Sequence, residues 1–201
     1  MIKRAFDVAV SLFGLAVLSP LLIVIALLVK LTSSGPVFFK QERIGRHFRP
    51  FFIYKFRSMV QDAPAKGGPI TFGNDLRITG VGRFLRKTKI DELPQLVNVL
   101  KGDMSLVGPR PEVREYVDMF REDYREILQV RPGITDLASL EYRDEAAILG
   151  QADDPEEEYV NRVLPEKIRL AKEHIERSSF PFDLAIVVRT LFRLLGDRIA
   201  G

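Results

Sequence analysis

Residues 8–29 read VAVSLFGLAVLSPLLIVIALLV, a run without one charged side chain. As a straight helix it would be about 33 Å long, close to the hydrocarbon thickness of a bilayer. Lys3 and Arg4 precede it and Lys30 follows it, so the flanking charge gives no orientation for a span. Ser19-Pro20 sits in its middle. Proline removes one helical hydrogen bond and crowds the preceding turn, so a kink is expected there. The serine hydroxyl can satisfy the carbonyl that proline frees. Two arrangements serve these residues equally: a kinked spanning helix, or a helix that enters, bends at Ser19-Pro20 and leaves by the same face. A cleaved signal peptide fits less well. The run is too long for a signal core, and KLTSSGP follows it rather than an A-x-A-like site.

The remaining sequence has no second run of this kind and no internal repeat. Residues 35–59 read as extended structure with an intervening polar loop, 40–49. Within them Phe52-Ile53-Tyr54-Lys55-Phe56-Arg57 is rich in strand formers. Residues 61–74 form a Gly/Pro-rich loop. Residues 81–89 read as a basic helix carrying Arg83 and Arg86 on one face. Asp91-Glu92-Leu93-Pro94 carries start signals for a further helix, with Asp91 as its cap and Gly102 as its stop. Residues 112–128 read as one polar amphipathic helix, and Asp154 as the cap of another. Residues 180–195 mix bulky apolar side chains with Arg189 and Arg193. They fit a helix lying in a membrane interface or one packed on the core.

Composition narrows the chemistry. The 201 residues carry a net charge of +3, too small an excess to indicate nucleic acid but suited to an anionic membrane or phosphorylated substrates. The absence of cysteine excludes disulfides, thiolate metal sites and cysteine nucleophiles. His47 and His174 are far apart and read as ordinary surface or core residues. Basic groups recur around one adjacent carboxylate pair: Lys55, Arg57, Arg86, Arg110 and Arg131 around Asp91-Glu92. Converging arginines would hold a diphosphate. Two adjacent carboxylates can share a magnesium ion with substrate phosphate, and a carboxylate can attack phosphorus to form an acyl phosphate. The same pair could equally be a helix cap with an acidic first turn. Gly80-x-Gly82 is a weak echo of a dinucleotide loop, lacking the third glycine.

Several ordered blocks carry a resemblance. They are the apolar run with Ser19-Pro20, the stretch Gly35-Pro36-Val37-Phe38-Phe39-Lys40-Gln41-Glu42-Arg43-Ile44-Gly45, and Tyr54-Lys55-Phe56-Arg57-Ser58-Met59. Asp91-Glu92-Leu93-Pro94-Gln95-Leu96, the block from Gly102 through Pro109-Arg110-Pro111-Glu112, and Arg131-Pro132-Gly133-Ile134-Thr135 complete the set. Together they resemble the bacterial sugar transferases, specifically the small monotopic phosphoglycosyl transferases. The resemblance implies a mostly helical α+β fold with a small β element. A re-entrant, broken membrane helix hairpin would occupy 1–34, and a catalytic domain 35–201, with an interfacial helix at 180–195. It also implies a bacterial inner-membrane enzyme, monotopic and facing the cytoplasm, that moves a phosphosugar from a UDP-sugar to polyprenol (undecaprenyl) phosphate. Asp91 would be the nucleophile, and Glu92 would help Asp91 bind magnesium. Lys55, Arg57, Arg86, Pro109, Arg110, Pro111 and Arg131 would bind nucleotide and phosphates. No nucleic acid partner is implied, and a homodimer is left open. The rival is a non-catalytic, membrane-anchored module that binds nucleotides or phospholipid headgroups. One segment departs from the family pattern. Many members continue after Thr135 with a Gly-Trp/Leu-Ala-Gln-Val-Asn-Gly-Arg-like stretch, where this chain reads Asp136-Leu137-Ala138-Ser139-Leu140-Glu141-Tyr142-Arg143-Asp144-Glu145. The extra N-terminal spans of larger members are missing too, which would make this the minimal enzyme.

Overall fold

The apolar run folds as one helix, α1 (Ile2–Thr32), with Pro20 inside it. A computed structural model describes residues 2–68, 70–73 and 75–196. Pro69 and Asn74 of the expected loop, and residues 197–201 of the expected catalytic domain, lie outside the described residues. The helical path continues through Ser19-Pro20 without a hairpin loop. Ser19 Oγ donates to Ala16 O at 2.8 Å, the carbonyl that proline leaves without a backbone donor. Both ends of α1 are tied to the globular body. Near the start, Asp7 accepts from Ser105 Oγ (2.7 Å) and Leu106 N (3.2 Å), and Lys3 pairs with Asp183 at 2.6 Å. Near the end, Arg57 Nη2 donates to Val29 O (3.3 Å) and Ser33 O (2.7 Å).

Two antiparallel strands follow, β1 (Phe38–Ile44) and β2 (Pro50–Phe56), in register from Phe38 opposite Phe56 to Ile44 opposite Pro50. The polar stretch expected as loop therefore gives its first half to β1. Helix α2 (Gly80–Thr88) is capped by Thr79, whose hydroxyl accepts from Gly82 N. Lys89 closes it in the left-handed region, φ 57°. Next come a 3-10 turn (Ile90–Glu92) and α3 (Gln95–Lys101), stopped by Gly102 at φ 89°. Asp91 does not cap α3: the helix begins after Pro94 and has no side-chain cap.

Strands β3 (Ser105–Val107) and β4 (Gly133–Thr135) form a separate parallel pair. Between them lie α4 (Arg114–Met119) and α5 (Arg121–Ile127). The single helix expected over 112–128 is broken at Phe120, whose φ −112°, ψ 39° is not helical. Short helices α6 (Leu137–Glu141), α7 (Glu145–Leu149) and α8 (Pro155–Glu158) lead through a π turn (Tyr159–Val163) to α9 (Leu164–Glu176) and α10 (Phe180–Gly196). Asp154 caps α8 as expected, accepting from Glu156 N and Glu157 N. The architecture is a mostly helical α+β body with a long apolar N-terminal helix.

Three buried apolar clusters hold it together. The largest packs Tyr116, Tyr124, Ile127, Leu149, Leu164 and Ile168. The second joins Ile53, Val99, Met104 and Ile186 to Phe6, Val10 and Leu15 of α1. The third joins Phe56 and Leu85 to Ile25 and Val29 at the other end of α1. One face of α10 packs on the second cluster through Ile186. Its other face leaves Leu184, Val188, Leu191 and Phe192 exposed.

Candidate active site

The site is assembled by two close approaches. Asn98 of α3, fully buried, accepts from Tyr54 N (3.0 Å) and donates to Phe52 O (2.7 Å). An amide side chain thus pairs with the backbone of β2, fixing α3 and the turn before it against that strand. On the other side, α2 presses Gly82 onto the Ser58 backbone so closely that any Cβ would overlap the Ser58 carbonyl. That is the use of Gly80-x-Gly82 here, a packing contact and not a nucleotide loop. The same approach lets Arg86 Nε donate to Ser58 Oγ at 2.8 Å.

The result sets Lys55, Arg86, Arg110 and the Asp91-Glu92 turn together. Glu92 accepts from Lys55 Nζ at 2.8 Å and takes both arms of Arg110, 3.1 Å and 2.5 Å. Burial alone would raise its carboxyl, but Arg110 and Lys55 outweigh that and hold it well below the usual range. Burial lowers the Lys55 ammonium, partly offset by Glu92. Glu92 in turn keeps Arg110 firmly charged.

Asp91 has the opposite environment. It is 6% exposed, and its Oδ1 has no hydrogen-bond partner. Burial, with the Glu92 charge beside it, pushes its carboxyl up to about 6, while Lys55, Arg86 and Lys89 pull the other way. Neighbouring carboxylates with such divergent environments suit divergent roles.

The other expected residues fall as follows. Pro109 and Pro111 are buried and flank Arg110. Arg57 is buried at the end of α1, capping its last carbonyls and Ser33 Oγ. Arg131 is exposed and donates through Nε to Gly102 O at 2.9 Å. The structure therefore joins Lys55, Arg86 and Arg110 to the acidic pair, and ties Arg57 and Arg131 to backbone carbonyls elsewhere. Ser58 and Lys89 were not singled out from sequence. Ser58 lay inside a recognised block but had no chemical signal of its own, and only the fold brings Lys89 to bear on Asp91.

Among the described residues, no three His, Asp or Glu side chains converge as a metal cage. Magnesium does not require one, since it keeps waters and substrate phosphates as ligands. Asp91 Oδ1 has no partner, and Glu92 Oε2 accepts only one bond, from Arg110. The pair fits an ion held largely through substrate. Beside the site, an apolar groove of about 330 Å³ runs between α1 and α3, lined by Leu15, Leu22, Ala26, Phe38, Phe56 and Pro94.

Comparison with known proteins places this geometry in context. Residues 1–197 match the family described as bacterial sugar transferase. The UDP-N-acetylgalactosamine-undecaprenyl-phosphate N-acetylgalactosaminephosphotransferase of Aeromonas hydrophila is 41% identical, over 96% of this chain and 44% of that protein. The UDP-glucose:undecaprenyl-phosphate glucose-1-phosphate transferase of Escherichia coli (strain K12) is 39% identical, over 96% of this chain and 40% of that protein. The uncharacterized sugar transferase EpsL of Bacillus subtilis (strain 168) is 43% identical, over 72% of this chain and 70% of that protein. The chain thus spans less than half the length of the first two relatives.

Proposed function

This chain belongs to the bacterial sugar transferase family, and we propose that it transfers a phosphosugar from a UDP-sugar to polyprenol phosphate, with Asp91 as nucleophile. The observation that carries the mechanism is the buried Asp91 carboxylate with an unpartnered oxygen, beside a Glu92 whose charge is already matched.

A carboxylate oxygen of Asp91 attacks the phosphorus that bears the sugar. The phosphoanhydride bond breaks, UMP leaves with the bonding pair, and a phosphosugar–aspartate remains. A phosphate oxygen of the polyprenol phosphate then attacks the same phosphorus. The bond to Asp91 breaks, restoring the carboxylate and yielding the lipid diphosphosugar. Arg86, Lys55 and Arg110 face the charge that develops on the transferring phosphoryl group. Arg110 and Lys55 also neutralise Glu92, so that a second anion does not repel the donor. A bound magnesium ion, held by Asp91 and Glu92, would offset negative charge on the diphosphate.

We also infer that α1 enters and leaves the cytoplasmic face of the bacterial inner membrane, and that α10 lies in the interface. Support for the first comes from the ties at both ends of α1 to one body, which a helix pointing across the bilayer would lack. The bare apolar side chains of α10 support the second. The apolar groove beside Pro94 suits the tail of a lipid acceptor, three residues from Asp91. The relatives' names carry different sugars, and the sugar used by this chain is left open.

The test is UMP release by purified protein with magnesium, polyprenol phosphate and a panel of UDP-sugars, beside Asp91→Asn. One donor yielding UMP and lipid diphosphosugar, with a loss of about 10³-fold or more in Asp91→Asn, is the expected result. Equal UMP release by the variant would remove Asp91 as nucleophile. Donor binding without release by the wild type would favour the binding module.

A further inference from the structure

We propose that Asp136 is the positioning residue that holds Arg110 on Glu92, by clamping the backbone of the Pro109-Arg110-Pro111 turn. The catalytic consequence rests on the transferase reading above; the clamp itself does not.

The parallel pairing of β3 and β4 brings the ends of both strands together. Gly108 N donates to Thr135 O at 3.1 Å, and Gly133 N to Pro109 O at 3.0 Å. The chain leaves β3 into the Pro-Arg-Pro turn and leaves β4 at Asp136. Proline has no backbone N–H, so Arg110 supplies the only main-chain donor in those three residues. That donor goes to Asp136 Oδ2 at 3.1 Å. The other carboxylate oxygen accepts from Ser139 N at 2.7 Å, capping α6.

Asp136 is 1% exposed. A helix cap alone does not require a carboxylate, since serine or threonine would serve. Here both oxygens are used, one for the cap and one for the turn, which a single hydroxyl cannot match. The negative charge also acts, after Glu92, to keep Arg110 charged. The turn is also tied by Arg43 Nη1, which donates to Pro111 O at 3.2 Å, so Asp136 is the tie specific to the Arg110 backbone. A cavity of about 20 Å³ lies behind the turn, lined by Arg110, Asp136 and Lys167 among others, room for roughly one water.

The full chain in lipid nanodiscs tests this with two readouts. Asp136→Ser keeps an oxygen for Ser139 N and loses the one for Arg110 N. Amide exchange in the peptide 107–113 is expected to rise about tenfold, with residues 137–141 as protected as in the wild type. UMP release is expected to fall about tenfold alone and to fall no further when Asp136→Ser is added to Arg110→Ala. Unchanged exchange at 107–113 overturns the clamp. Independent, multiplying losses in the double variant overturn the action through Arg110. If the wild type releases UMP from no donor, the transferase reading fails and the exchange result still decides the clamp. Should Asp136→Ser unfold, Asp136→Asn, which keeps the volume and one acceptor oxygen, is judged by the same outcomes.

Discussion

In the turn at residues 90–92, charged side chains are packed away from solvent, while along α1 Phe13 and Leu31 stand 70% and 81% exposed. Both regions depart from the usual ordering, in which apolar groups are buried and charges are wet. The departures have different causes. In the turn, Glu92 is held by Lys55 and Arg110, and Asp91 carries a burial cost that no stabilising contact at Oδ1 offsets. A cost of that sort is typical of a reactive group. In α1 the exposed groups are apolar. Exposed leucines and valines would cost free energy only in water, so their exposure indicates a lipid environment. The turn carries a cost that its own surroundings do not offset, whereas the exposure along α1 costs nothing once lipid replaces water.

Breaking the charge balance of the turn gives the largest effect on this contrast. Glu92→Gln leaves Lys55 and Arg110 facing each other without their shared anion. Removing one partner from a buried ionic cluster costs roughly 3–5 kcal/mol. Urea unfolding is expected to register that loss, and UMP release to fall by about 10²-fold. A variant as stable as the wild type would mean that the cluster is less dry than its geometry indicates.

The Asp91 titration sharpens the same contrast. Its carboxyl ionises near 3.8 unperturbed and near 6 in the fold, raised by burial and then by Glu92. The fold therefore holds this proton more tightly than the unfolded chain does. Stability from this group is fully present below pH 3.8, is lost as pH rises through 6, and is flat above, a total of roughly 3 kcal/mol. On the proposed mechanism activity runs in the opposite direction, because only the carboxylate would attack. The rate is expected to fall about tenfold per pH unit below 6. Asp91→Asn should be more stable than the wild type at neutral pH, and the gap should close in acid. A gap that is constant with pH would show that Asp91 carries no burial cost.

The sequence showed these two regions unequally. The apolar run, the acidic pair and Arg110 were legible because each has a local signature: hydropathy, adjacency, or a rigid Pro-Arg-Pro turn. Strand β2 was legible from its strand formers, whereas most of β1 was not, because its polar stretch, 40–43, read as loop. The parallel pair β3 and β4 was not, since three-residue strands carry no readable alternation. The break at Phe120 was hidden because the polar pattern continues across it. Asp136 carried no signal of its own, since its bond to Arg110 depends on β3 and β4 being parallel. Arg57 and Arg131 had the same residue type as Arg110, and type alone could not separate a group facing the acidic pair from one bound to carbonyls.

Arg57 tests where the two regions meet, since it lies on the strand end that leads from Lys55 and grips the end of α1. Arg57→Leu orphans the Ser33 carbonyl and leaves Val29 O with the Ser33 hydroxyl alone, at a cost of about 2 kcal/mol. The expected result is faster proteolysis at residues 33–37 with little change in donor KM. A raised KM with unchanged stability would instead return Arg57 to phosphate binding.

The smallest effect is expected at Ser19. Its hydroxyl bond to Ala16 O compensates for the donor missing at Pro20. In lipid that carbonyl has no water to turn to, yet measured side-chain bonds in membranes average only about 0.6 kcal/mol. Ser19→Ala should therefore leave melting nearly unchanged, and accessibility labelling should still find both flanks of α1 on one side. Pro20→Ala restores a backbone donor to Ala16 O and makes the serine bond redundant. It is expected to favour a straighter helix, while the ties of Asp7 to Leu106 and of Arg57 to Ser33 pull its ends back to the body. Labelling that finds residue 3 across the membrane in Pro20→Ala would mean that proline, more than the ties, keeps α1 on one face. Labelling on the original face would put that control in the two polar anchors.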